Sequence, residues 1–221
     1  KLYLSSSDVV INDTVWNISK DCYLYFRNNR LSFNNFEVYS NDQYVEIEGF
    51  FPNKSNDTLS LHFNKLNISN FDLLTIDYGI DVDGVIDGDL QMAGVNEKIT
   101  ILSNLDIDHI GVNNHLIGNA TVDAGWNAAD TSIFVNTEIV RENGNDTLLM
   151  LVGNYYTMRQ NDNLDFALDL NDMDISIVNA FTKGTLSKVK GNVSGEFVVD
   201  GTLKKPVFIG EAENQFFDLI D

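Results

Sequence analysis

Residues 81–89, Asp81-Val-Asp83-Gly-Val-Ile-Asp87-Gly-Asp89, place four carboxylates within nine positions. Clustered carboxylates bind hard cations such as calcium, and carboxylate pairs serve glycosidases as acid and base. The run lacks the spacing of an EF-hand loop, and its acids fall at every second position or nearly so. It therefore reads as the solvated face of an extended strand. Nothing raises one acid pair above the rest of the 33 acidic residues. His62, His109 and His115 are the only histidines. The last two stand six residues apart, about 20 Å along an extended chain, so they can share a metal only across a hairpin at Gly111–Asn114. Cys22 is the only cysteine, which excludes an intrachain disulfide and a cysteine metal cluster; it reads as a small buried hydrophobe. No nucleophile elbow, P-loop, dinucleotide fingerprint or zinc-helix motif occurs. The expectation is a chain with no enzymatic activity, no catalytic residue, no metal and no cofactor. Eight Asn-x-Ser/Thr triplets occur, at Asn12, Asn17, Asn53, Asn56, Asn67, Asn119, Asn145 and Asn192. In a secreted eukaryotic chain they would accept glycans, but a chain this rich in asparagine produces such triplets by composition.

The elements around these residues follow from the whole sequence. At 221 residues, 43% hydrophobic and 21% charged, the chain can bury a core and lies far from disordered or collagen-like compositions. Its net charge of −19 repels phosphate backbones and anionic headgroups, so nucleic acid and a membrane surface are poor partners. No apolar run approaches the roughly 18 residues of a membrane-spanning helix. A start at Lys1 with no apolar leader reads as a piece of a longer chain. Asparagine, at 28 positions, outnumbers the 24 aspartates; both residues favour turns over strand interiors.

Shifted by 107 residues, positions 59–104 fall on 166–211 without a gap. Leu61/Leu168, Asn64/Asn171, Ser69/Ser176, Val82/Val189, Gly84/Gly191, Gly88/Gly195 and Gly94/Gly201 are identical pairs. The chain thus reads as two copies, about 8–114 and about 118–221, in one continuous body. Asp81 and Asp83 become Lys188 and Lys190 in the second copy, a further argument against a calcium site. Period-two alternation dominates both copies: Leu59, Leu61 and Phe63 alternate with Ser60 and His62, and Leu164, Phe166, Leu168 and Leu170 with Asp165, Ala167 and Asp169. The class is all-β, about sixteen mostly antiparallel strands with one apolar and one wet face. Two short helical turns are expected, N-capped by Ser69 and Ser176, through 71–74 and 178–181. One face carries Val82, Ile86, Leu90 and Met92 and, in the second copy, Val189, Val193, Phe197 and Val199. These eight positions keep phase across the shift and are the candidate binding residues. Asp87 and Ser194 lie on the other face, where substitution is expected to be mild. The inward glycines Gly84, Gly88, Gly191 and Gly195 are expected to mark a bulge, a bend or close backbone approach, or to leave room for an acyl chain beside Phe197.

The segment Gly191-Asn-Val-Ser-Gly195-Glu-Phe-Val-Val-Asp-Gly201-Thr-Leu-Lys-Lys-Pro206-Val-Phe-Ile-Gly210 resembles the repeat signature of the TamB family, relatives of the AsmA-like proteins. Gly118–Asn127 resembles the strand that follows it there. The first copy departs, with Val95-Asn96 for Thr-Leu and Ile99 for the proline. The resemblance implies a curled, open trough of the β-taco kind, apolar inside and polar outside. It also implies a periplasmic location in a diderm bacterium, an inner-membrane anchor on an N-terminal helix missing here, and a partner barrel of the TamA/BamA type. The implied function is shielding of phospholipid acyl chains in transit to the outer membrane and support of outer-membrane protein assembly. The competing reading is a structural or adhesive repeat whose apolar faces close on each other, which needs the same alternation.

Overall fold

Alternating apolar and polar side chains favour the extended backbone, and the residues the structure describes are mostly strand. The computed structural model describes residues 2–3, 7–20, 22–52, 54, 56–70, 81–95, 98–112, 115–144, 146–174, 189–203 and 205–219. Among them are fifteen strands: β1 Leu2–Tyr3, β2 Asp8–Ile11, β3 Thr14–Ile18, β4 Tyr23–Arg27, β5 Arg30–Ser40, β6 Gln43–Phe50, β7 Thr58–Asn67, β8 Val82–Val95, β9 Lys98–Val112, β10 His115–Asn127, β11 Ser132–Val140, β12 Thr147–Tyr156, β13 Leu164–Asp174, β14 Val189–Thr202 and β15 Lys205–Leu219. All belong to one sheet, and from β5 to β15 each strand pairs antiparallel with the next. On the other side of β5, β4 pairs with its first half and β3 with its second. The sheet is open, because its path runs from β1 to β15 without closing.

The 107-residue repeat is visible in the strands. Moved by that interval, β8 and β9 coincide in both bounds with β14 and β15, and the pair Val82↔Val112 becomes Val189↔Leu219. The helical turns expected through 71–74 and 178–181 lie outside the described residues. Before the first of them, residues 68–70 form a short 3-10 turn. The acceptor at its start is Asn67, whose Oδ1 takes hydrogen bonds from the Ser69 amide at 3.0 Å and the Ser69 hydroxyl at 2.7 Å.

Four bulges among the described residues share one sequence pattern. In Phe33-Asn-Asn-Phe36, Phe63-Asn-Lys-Leu66, Ile107-Asp-His-Ile110 and Leu170-Asn-Asp-Met173, two polar residues separate apolar ones where one is expected. There two residues of one strand face a single residue of its neighbour. The second polar residue takes a left-handed backbone in every case: Asn35 (φ 47°), Lys65 (47°), His109 (56°) and Asp172 (50°). The extra residue restores the apolar phase, at the cost of an amide lifted out of the ladder. A side chain directly opposite accepts from each of those amides: Glu48 at 2.8 Å, Asp87 at 2.9 Å, Asn119 at 2.9 Å and Ser194 at 2.8 Å. Asp87 and Ser194 are repeat equivalents, and so are the Lys65 and Asp172 amides they hold.

On this solvated face Asp87 and Ser194 also cap bulges, so substitutions there are expected to stay mild only where an acceptor oxygen is kept. Asp87→Ala and Ser194→Ala are each expected to cost about 1 kcal/mol in urea denaturation, the worth of one hydrogen bond. Asp87→Asn keeps an acceptor oxygen and should stay within about 0.5 kcal/mol. If the alanine and asparagine variants unfold at the same midpoint, the side chain is not holding the bulge.

Candidate functional site

Partners across an antiparallel ladder point to the same side, so the register defines each face. One row across the sheet runs Leu66, Ile86, Ile107, Ala120, Ile139, Leu149, Leu170, Gly195 and Ala212. The row two residues on runs Phe63, Gly88, Leu105, Val122, Thr137, Leu151, Leu168, Phe197 and Gly210, and a third joins Leu61, Leu90, Ser103 and Ala124 to Val135, Gly153, Phe166, Val199 and Phe208. Ser103 and Thr137 are the polar side chains in these three rows. The result is a nearly continuous apolar face from β7 to β15, extended into β6 and β5 by Val45 and Ile47 with Val38 and Phe36.

A flat single layer would leave both faces open to water. Here Leu59, Leu66, Val112, Ala120, Ile133, Ile139, Leu164, Phe166, Val193 and Val199 are all buried, so the sheet curls over its apolar side. The curl stops short of a closed core. The chain exposes 13761 Å², against roughly 10,200 Å² for a compact protein of this mass. At one end the β2–β3 hairpin runs past Ser40 and returns to the segment after β7. Asn12 Nδ2 donates to the Ser69 carbonyl and Thr14 Oγ1 to Asn70 Oδ1, both at 3.0 Å. This seats Trp16, wholly buried, and Ile18 on the apolar side of that end.

The candidate residues are brought together on this face in two ways. Ile86, Leu90, Met92 and Phe197 are half-buried, whereas Val193 and Val199 are buried, Val193 against Met173 and Val199 in a cluster with Leu164 and Phe166. Val82 is half-buried opposite Val112, and Val189 is placed by its backbone pairing with Leu219. Repeat equivalents do not share a row. Leu90 shares its row with Val199, the equivalent of Met92, so the stripe slants by two residues from one copy to the next.

Sequence reasoning passed over β10–β12, which lie between the two sets of candidates. Ala120, Val122, Val135, Ile139, Leu149 and Leu151 carry the face across that gap. The signal that could have found them is the alternation in residues 120–127 and 133–139, together with the apolar run 148–152. The opposite face is acidic: Asp87 faces Asp106, and Asp169 faces Glu196, which faces Glu211.

Among the described residues no group of three or more His, Cys, Asp or Glu is arranged to hold a metal. His62 Nδ1 pairs with Asp89 at 2.8 Å and His109 Nε2 with Glu142 at 3.0 Å, each exposed. No helix among the described residues is long and apolar enough to cross a membrane. Protein-family models, curated proteins and solved structures yield no match to this chain.

Proposed function

We propose that this chain is a periplasmic segment of a protein that shields phospholipid acyl chains along the apolar side of its curled sheet. The observation that supports the reading is the near-continuous apolar face running across the strands from β5 to β15, with the sheet open rather than closed. Each methylene moved from water onto such a face is worth about 0.8 kcal/mol. Contact falls on the half-buried members, Ile86, Leu90, Met92 and Phe197, rather than on Val193 and Val199, which other side chains already cover. The inward side chains offer few groups to read a headgroup, so binding is unselective among phospholipids and weakly salt-dependent. The resemblance of 191–210 to TamB repeats supplies the cellular frame: an inner-membrane anchor, an outer-membrane barrel partner of the TamA/BamA type, and support of barrel assembly.

A photo-crosslinking residue at Leu90 or Phe197 is expected to capture phospholipid in cells, and one at Asp89, on the acidic face, is not. Capture at both faces alike, or at neither while the protein stays folded, would favour a structural repeat without ligand.

A further inference from the structure

The outer face of β13–β15 sets an acidic row beside an exposed apolar one. An open depression of about 850 Å³ lies there, lined among others by Ala167, Asp169, Glu196, Val198, Ile209 and Glu211. Two rows cross it side by side. In one, Asp169, Glu196 and Glu211 stand directly opposite one another on successive strands, about 4.8 Å apart. Like charges so placed destabilise a sheet, and among the described residues no cation is paired with any of the three. Several other acids of the outer face are engaged: Asp87 caps a bulge, Asp89 meets His62, and Asp172 meets Arg141 at 3.1 Å. The second row, two residues further along the strands, is Val152, Ala167, Val198 and Ile209. Val198 is 49% and Ile209 60% exposed, and Val207 beside them 48%.

We propose that this groove docks a basic amphipathic helix of a partner protein. An unneutralised acidic row beside an exposed apolar row is complementary to a helix with a stripe of Lys or Arg beside a stripe of Leu-like residues. Same-face residues of a helix recur about every 5–6 Å, close to the strand spacing that sets the rhythm of both rows. A helix laid across the strands therefore keeps register with carboxylates and apolar side chains together. The apolar row sets this occupant apart from a small polycation, which the carboxylates alone would hold.

The test uses the whole chain and labelled synthetic helices. A Lys/Leu helix is expected to bind, with affinity falling as salt rises. Glu196→Gln/Glu211→Gln should weaken it at least ten-fold, and Val198→Ser/Ile209→Ser by a similar factor. Asp106→Asn/Glu138→Gln removes the same charge from the same face at β9 and β11 and should change it less than two-fold. The first variant relieves repulsion and should melt no lower than the parent. The β9/β11 variant should stay close to the parent, since Glu138→Gln keeps an acceptor oxygen for the Thr147 hydroxyl. The Ser variant gives up some strand propensity but must stay folded by circular dichroism. The proposal is overturned if the Lys/Leu helix does not bind. It also fails if a Lys/Gln helix or spermine binds as tightly, or if the β9/β11 variant loses as much affinity as the groove variants.

Discussion

Gly88→Ala and Gly195→Ala are each expected to cost more than about 3 kcal/mol, enough to leave a protein of ordinary stability largely unfolded on mild heating. Both glycines hold a backbone that L side chains rarely adopt, with φ of 120° and 158°. A Cβ at Gly88 would run into the carbonyl oxygen of Asn104, with the Leu105 Cα only 3.1 Å away. At Gly195 it would meet the carbonyl oxygen of Glu211, the Ala212 Cα at 3.0 Å and the Phe197 ring at 3.2 Å. The obstacle is the backbone of a paired strand, which cannot turn aside as a side chain can. The ladder must therefore open on either side of the substitution. Gly125→Ala is the control: nothing lies within 4 Å of the Cβ it would gain, and its φ is not positive. It should be neutral, or stabilising by up to about 1 kcal/mol through the unfolded chain. Three equal urea midpoints would show that close strand approach does not dictate glycine at 88 and 195. The space at Gly195 is also not a berth for an acyl chain, because the neighbouring strand fills it.

The second large effect centres on Asp57, the one wholly buried acid among the described residues. Arg30 Nε donates to its Oδ2 at 3.3 Å and the Arg30 Nη2 to its Oδ1; the Lys54 amide donates to Oδ2 at 2.9 Å. The guanidinium also lies 4.1 Å above the Phe50 ring, and the Asp57 carbonyl accepts from the Gly94 amide at 3.4 Å. One acid thus ties the start of β5 to the ends of β6 and β8 and to the turn before β7. Arg30→Met keeps the apolar stem over Phe50 but takes the guanidinium from a buried carboxylate. A loss of about 3–5 kcal/mol is expected. Asp57→Leu alone should cost less, since Arg30 is 31% exposed and can reach water. The double variant should recover much of the Arg30→Met loss, because a buried charge pair is often replaceable by apolar residues of similar volume. A double-mutant cycle in urea measures the coupling. Additive losses would mean the two side chains do not act as a pair.

Much of this architecture is legible in the sequence, for a plain reason. In an extended chain neighbouring side chains point to opposite sides, so alternation alone names the strands and sorts their residues by face. A gap-free repeat then carries that sorting from one copy to the next. Leu90 and Phe197 lie on the apolar face as the pattern requires, and Asp89 and Glu196 on the other. The four slips of the kind Phe63-Asn-Lys-Leu66 are written in the sequence as plainly, although strict alternation passes over them. What the chain alone could not disclose is which strand lies beside which residue. Only the paired register sets Asp87 against the Lys65 amide, Ser194 against that of Asp172, and Asp169, Glu196 and Glu211 in one line. Only the curl separates half-buried Leu90 from buried Val199, and only the fold sinks Asp57, a turn residue by composition, beneath Arg30. Faces follow from local geometry, which every residue carries with it; partners and depth follow from contacts between residues far apart in the chain, which exist only once the sheet has formed.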